Sequence, residues 1–421
     1  MFARPEAVRP RPRPSERPDP RPWLALYAVA FTARALPLVF ARAAALPDWL
    51  PIAHNLAHGL GLAVNTAGGP TPTAQLPPLA PWLASGVVRW AGPHPLAPAL
   101  GVALLGALVP LVVASLGSAM FGGAVGRWAG WICALDPFLI LAPAIEAVAA
   151  VTLAIATLAT AGWIKTPRPG RALGVGVLWG IGALAHPALL AMPFVIAAWA
   201  SMPLGLTVTP PDRIRQTLLV FAGLAVIVAP WTLRNAGVVH GFVPVNTGNG
   251  VALLAASSHR AWTDPALHGA PLTRDAILAE HHELAGRGEL DADRQAFRSA
   301  AAHARAHLVE GAGVLAPRAV GFLIAPLAPF DLRLAVPAVL ILPFWLWGAV
   351  RATIGPRRLF QSLPVLIAAW FLGRTLLFGA TAAARAPAAP MLALLAGVGL
   401  DDARRRLRAW SHGLRVIRGR S

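Results

Sequence analysis

Carboxylates and guanidinium groups stand in or beside apolar stretches of this chain, where charge is costly. Asp136 and Glu146 lie between two apolar blocks. An ionisable group at membrane depth costs roughly 2.5–3.5 kcal/mol on insertion scales, so it usually faces a cavity or a partner. Asp48 is the only acidic residue between Asp19 and Asp136. Arg34 and Arg374 interrupt apolar runs, while Arg234 and Arg385 mark the ends of two others. A guanidinium stays charged and forks onto paired oxygens, so these arginines suit a lipid-embedded phosphate. Snorkelling toward headgroups explains any one of them, and Arg374 least well, because apolar residues flank it. Asn246-Thr247-Gly248-Asn249-Gly250 is a run of turn formers whose backbone can approach a ligand closely.

The elements that must position these groups are membrane spans. The chain has 421 residues, 56% hydrophobic and 13% charged, with mean hydropathy +0.60. Its apolar residues fall in long blocks, not in short amphipathic repeats. Blocks of ~17–22 residues suit a bilayer crossing; candidates are 23–40, 96–121, 127–143, 145–163, 172–186, 187–204, 218–231, 334–350, 359–378 and 387–400. The expected architecture is therefore an all-α polytopic membrane protein of about ten spans, with a range of 8–12.

Basic residues recur at every second connection: the Arg-Pro-rich tail, Arg127, Lys165 to Arg171, Arg213 and Arg215, Arg351 to Arg358, and Arg404 to Arg408. The positive-inside rule places these loops and both termini in the cytoplasm. The net charge of +18 is mostly this topological bias, with some attraction to anionic membrane lipids. Scattered basic loops without a soluble domain exclude nucleic-acid binding. The expected organisation is a disordered basic tail (1–22), a transmembrane module (23–234) with a first periplasmic loop (41–95), a periplasmic segment (235–331), further transmembrane helices (332–400) and a basic tail (401–421). Cys133 is the sole cysteine, so no disulfide can form within the chain. The first apolar block reads as a retained anchor, not a cleaved signal.

Three motifs carry a family resemblance. PWTLRN followed by GFVPVNTGNG, residues 230–250, resembles a signature of bacterial membrane glycosyltransferases of the dolichyl-phosphate-mannose-protein mannosyltransferase type, with aminoarabinose-transferase-like relatives. Ile52-Ala53-His54-Asn55-Leu56, running on to Gly61 and then to Pro72-Thr73-Ala74, is similar to the family's first periplasmic loop. Arg385-Ala386-Pro387 to Gly397 resembles its C-terminal "RYRLPLLPLLALLAG". The resemblance implies the C-type glycosyltransferase fold and a polyprenyl-phosphate-linked sugar as donor. The acceptor it implies is a lipid, glycan or protein on the periplasmic side.

The family's base is an aspartate ahead of the first motif, which here maps to Ala45, while Asp48 stands just before Trp49. Asp48 is accordingly the candidate catalytic base, deprotonating an acceptor hydroxyl; its alternative role is a helix N-cap. Leu76 replaces a family arginine. Arg34, Arg234, Arg374 and Arg385 are the candidate donor-phosphate ligands, and His54, Asn55, Asp136, Glu146, Asn246 and Asn249 the cavity residues, for acceptor or metal. His186-Pro187 reads as a family position or as a capped helix junction. The cofactor is open, a divalent metal being one option. His303 and His307 could ligate a metal but read better as an exposed helix face. The alternative function is a non-catalytic relative that binds or helps transport lipid-linked sugars.

Overall fold

A computed structural model describes residues 21–40, 49–92, 94, 96–201, 210–284, 286–354 and 358–418. The order begins α1 (Arg21–Phe40), α2 (Leu50–Ala57), β1 (Ala63–Thr66), β2 (Gly69–Pro72), α3 (Leu79–Ala91), α4 (Leu96–Gly106), α5 (Val109–Phe121) and α6 (Gly123–Ala134). It continues with α7 (Pro137–Ile140), α8 (Ala144–Lys165), α9 (Pro169–Ala185), α10 (Met192–Ser201) and α11 (Pro210–Val239). The region that follows holds α12 (Asn249–Ser257), α13 (His259–Thr263), α14 (Arg274–Glu280), α15 (Glu289–Ala306), α16 (Leu308–Gly313) and α17 (Leu315–Leu323). The chain returns through α18 (Leu332–Thr353), α19 (Arg358–Gln361), α20 (Leu363–Phe378), α21 (Ala382–Arg385) and α22 (Ala389–Arg418).

Among the described residues, six helical stretches are long and apolar enough to cross a membrane: Arg21–Phe40, Leu96–Phe121, Ala144–Lys165, Asp212–Val239, Leu332–Thr353 and Ala382–Ser411. Three shorter apolar helices accompany them, Pro169–Ala185, Pro187–Ala200 and Leu363–Phe378. The chain is a multi-pass membrane protein. Several expected spans take a different form. The block at 127–143 stops as a helix at Ala134, because Asp136 and Pro137 start a separate turn there. Its 12 residues rise only about 18 Å, short of a ~30 Å core. The block at 96–121 turns between Gly106 and Val109, just before Pro110, which has no N–H to continue the ladder. The apolar run ending at Trp231 goes on as helix through Pro230 to Val239. One departure from an all-α chain is the antiparallel β1–β2 hairpin, pairing Ala63 with Pro72 and Thr66 with Gly69.

Close helix contacts rest on glycine. A Cβ on Gly176 of α9 would stand 2.0 Å from the Val220 carbonyl oxygen of α11. One on Gly348 of α18 would stand 1.8 Å from the Leu395 carbonyl oxygen of α22. Without a hydrophobic drive between helices in lipid, such backbone approach is what lets them pack. The main core joins Val113 and Leu116 (α5), Leu153 (α8), Trp179 (α9), Ile367 (α20) and Leu394 (α22). The α12–α17 region has its own core, including Leu254, Leu272, Ile277 and Ala296.

Candidate functional site

The site begins with how the end of α11 grips the loop that follows it. Trp231 donates from Nε1 to the Val245 carbonyl at 2.6 Å, and the Thr232 hydroxyl donates to Pro244 at 3.1 Å. Asn235, fully buried, donates from Nδ2 to the carbonyls of Val243 and Val245 at 3.2 and 2.9 Å. These bonds fold the Val243–Val245 segment back against its own helix. Arg234 turns the other way. Its guanidinium donates to the carbonyls of Thr73 and Leu62 at 2.6 and 3.0 Å, and sits 4.8 Å from the Trp231 ring. The PWTLRN motif thus works as a clamp between two loops, and Arg234 donates to backbone carbonyls and, at 3.1 Å, to Asn235 Oδ1.

Glu289 closes the same junction. Its carboxylate, in the first turn of α15, accepts from the Thr73 hydroxyl at 2.8 Å, from Ala74 N–H at 3.0 Å and from the Thr247 hydroxyl. Thr247 N–H donates to the Ala74 carbonyl at 2.8 Å, and Asn246 Nδ2 to the Gln75 carbonyl at 3.2 Å. Asp293, one turn further along α15, accepts from Gly250 N–H at 2.7 Å and from Val251 N–H at 3.2 Å. It caps α12 from outside, where Gly248 at φ +90° leaves the helix start with no side-chain cap of its own.

Beneath this roof lie two adjoining cavities, of about 310 and 510 Å³, that share Arg374, Phe378 and Ala252 in their walls. The smaller is polar at its ends: Glu146 from the first turn of α8, Arg274 from α14, and Thr381. Gly379 lines it too, at φ +86°, where a Cβ would meet Pro271 Cδ at 2.6 Å. The larger is mostly apolar, walled by Leu190, Pro244, Trp370 and Leu377, with Asn246 and Asn249 at one end. Trp370 is held by its Nε1 bond to the Ala188 carbonyl at 3.1 Å. Arg374 lines both chambers, with its guanidinium 5.5 Å from the Phe378 ring. Among the described residues, no hydrogen bond or close ion pair ties that guanidinium down, although its charge interacts with that of Glu146. A cation left open at the join of an apolar and a polar chamber can hold an anion with an apolar tail.

The four arginines do not converge on one point. Arg34 and Arg385 flank Asp136 instead. Asp136 Oδ1 accepts from Phe138 N–H at 2.9 Å and Leu139 N–H at 3.3 Å, capping α7, while its charge interacts with both guanidinium groups. Arg385 is 2% exposed, stacked 3.9 Å from the Phe138 ring and donating to the Ile324 carbonyl at 2.7 Å. Arg34 donates to the carbonyls of Ala30 and Ala134 at 2.9 and 3.4 Å. Asn55 braces the hairpin, donating to the Ala63 carbonyl and to Asn65 Oδ1 at 2.8 and 2.9 Å, and His54 stands beside it in α2. His186 caps the turn after α9, accepting from Ala188 N–H at 3.1 Å, which favours the junction reading. Asp48 lies outside the described residues; its neighbour Trp49 packs against Ala144 and Ile145. Among the described residues no group of three or more His, Cys, Asp or Glu side chains is placed to hold a metal ion.

No protein-family model matches the chain, and no curated protein sequence matches it. Solved structures do. The archaeal oligosaccharyltransferase AglB from Archaeoglobus fulgidus, in complex with an inhibitory peptide and a dolichol-phosphate, superposes with a TM-score of 0.52 at 14% identity, over 92% of this chain and 51% of that one. The Archaeoglobus fulgidus oligosaccharyltransferase in complex with Zn and sulfate gives 0.53 at 15% identity, over 92% and 49%. The chain has the C-type glycosyltransferase fold. It spans about half the length of those transferases. ArnT from Cupriavidus metallidurans bound to undecaprenyl phosphate matches at 16% identity over 90% of this chain and 77% of that one, with a TM-score of 0.44.

Within this C-type fold the residue that sequence reasoning missed is Glu289. Local pattern marks it only as an acid in the first turn of an amphipathic helix, where it suits the helix dipole. Arg274 was missed for a similar reason: it reads as a solvated helix-start residue, yet it lines the polar chamber and donates to Gln75 Oε1 at 3.1 Å.

Proposed function

We propose that the chain is a membrane glycosyltransferase that moves a sugar from a polyprenyl-phosphate donor to a hydroxyl of a lipid, glycan or protein acceptor. The observation that carries this is Arg374, an open guanidinium between an apolar chamber suited to a prenyl tail and a polar chamber that contains a carboxylate. The dolichol-phosphate bound to the oligosaccharyltransferase of like fold supports a lipid phosphate as donor.

In this reading the donor phosphate docks on Arg374 with its tail along Leu190, Trp370 and Leu377. The sugar projects toward Glu146, Arg274 and Thr381. Glu146 accepts the acceptor's hydroxyl proton as its oxygen attacks the anomeric carbon. The bond from that carbon to the phosphate oxygen breaks, and the phosphate leaves as an anion that needs no acid, its charge met by Arg374. Asp48 is the competing base, and substitution decides between the two.

Native mass spectrometry of the purified protein with undecaprenyl phosphate tests the site. The wild type should retain the lipid and Arg374→Gln should lose it while remaining folded. Undiminished retention by a folded Arg374→Gln variant overturns the assignment. A wild type that binds the donor yet transfers its sugar to no acceptor in a broad panel is a carrier of lipid-linked sugars, not a transferase.

A further inference from the structure

Buried charge is short of a carboxylate around Asp136, where two guanidinium groups share one acid. Near Arg374 the chain supplies Glu146. Around Asp136 a single carboxylate serves both Arg34 and Arg385, and its Oδ1 is already engaged by two backbone N–H groups. Arg34 is only 5% exposed, and its second terminal nitrogen, Nη2, is buried with no hydrogen-bond partner. Burying an uncompensated guanidinium is among the costlier arrangements a protein can hold, so an orphaned donor on it indicates an anion.

There is room for one. Arg34 lines a cavity of about 260 Å³ whose other walls come from α1, α4, α7, the start of α8 and the turn between those two, with Trp49. Gly106 of α4 makes the space for the side chain: a Cβ there would lie 3.3 Å from both Arg34 Cδ and Nε. Ala144 and Ala147 line this cavity, whereas Glu146 lines the Arg374 chamber, so the first turn of α8 separates the two. Leu38 in this lining is 36% exposed, and Leu36, Val39 and Phe40 near it on α1 are exposed too. The opening therefore faces the bilayer.

We infer that this cavity is a second anion site, in which the Arg34 guanidinium holds the phosphate of a membrane phospholipid, apart from the Arg374 chambers. Arg34 supplies the charge, Gly106 the clearance beside its Nε, and Leu38 with Val102 the apolar walls for the first part of the acyl chains. The inference does not rest on the transferase function proposed above.

Phosphatidylglycerol and inorganic phosphate serve as separate probes in native mass spectrometry of the full chain in mild detergent. One phosphatidylglycerol should stay bound to the wild type and to Arg374→Gln. Its affinity should fall by roughly tenfold or more in Arg34→Gln, the range for one charged hydrogen bond. Ala103→Leu fills the same cavity and leaves the charge in place, so it should also expel the lipid, and it covers the case in which Arg34→Gln does not fold. Equal retention by the wild type and Ala103→Leu overturns the proposal, as does loss confined to Arg374→Gln. Complete displacement of the lipid by millimolar inorganic phosphate overturns its assignment to a bilayer lipid.

Discussion

The Glu289 carboxylate accepts the Thr73 hydroxyl at 2.8 Å across 216 residues of chain. With Ala74 N–H and the Thr247 hydroxyl on the same group, one side chain joins α15 to both loops that roof the chambers. Hydrogen bonds to a charged acceptor are worth about 1.5–3 kcal/mol each, and removing the acceptor leaves its donors unpaired. Glu289 therefore holds the site together without lining it.

Glu289→Ala should lower stability by on the order of 3 kcal/mol, and Glu289→Gln by less, since the amide keeps an acceptor oxygen. Cys133, the one thiol in the chain and fully buried, reports the change. A thiol-reactive dye followed during heating should react at a lower temperature in the Ala variant. An unchanged melting profile would show that the junction is held by other contacts.

Glu146→Gln preserves shape and removes the base, so transfer should slow by ~10²–10⁴ while undecaprenyl phosphate is still retained. The same measurement on Asp48→Asn separates the two carboxylates. A full rate in Glu146→Gln with a collapsed rate in Asp48→Asn would hand the proton to Asp48.

His303 predicts a pH response in the α15–α16 region. Its imidazole packs 5.0 Å from the Trp262 ring and 4.4 Å from His307, with His259 at 6.2 Å. Burial, and then the neighbouring His307 and His259, hold its pKa below the usual histidine value. Because the folded pKa is depressed, the folded state binds fewer protons than the unfolded one near pH 6.5. Stability from this group is thus present above about pH 6.5 and is lost as pH falls through the folded value. Hydrogen exchange across residues 289–313, corrected for its intrinsic pH dependence, should quicken between pH 7.5 and 5. In His303→Gln that extra quickening should disappear; its persistence would assign the response to other groups.

Alternating basic loops predict that the 235–331 region and the C-terminal tail lie on opposite sides of the membrane. In a Cys133→Ala background, cysteines placed at the exposed Arg287 and at the exposed Ala409 report each side. An impermeant thiol reagent on right-side-out vesicles should label the first alone. Equal labelling of both sites would reject the orientation.

Two of the motifs legible in the sequence, around residues 62–75 and 231–247, meet at one junction, but their residues do different work there from what their chemistry suggested. Trp231, Arg234 and Asn235 all turn up at the junction, yet their hydrogen bonds go to the backbone of Leu62, Thr73, Val243 and Val245. Residue type told of a phosphate ligand; only the fold shows that carbonyls already occupy the Arg234 guanidinium. Arg374 was identifiable because a charge amid apolar residues needs a reason wherever it sits. Glu289 was not, because its partners Thr73 and Thr247 belong to segments that come near it only after folding. Span boundaries failed where proline acted in opposite ways. Pro110 and Pro137 stand at helix starts, whereas Pro230 is carried inside a helix whose far end is tied to the returning loop.

The shared wall between the two chambers has a thermodynamic consequence. Arg374 is a single charge with one set of donors, seen by both volumes. Whatever anion engages it from the apolar side alters the field felt by Glu146 and by any guest on the polar side. Free-energy coupling of this kind runs equally in both directions. A guest in the polar chamber must change the grip on the lipid by the same factor as the lipid changes the grip on that guest. Loading order then affects the path taken and leaves the final occupancy unchanged.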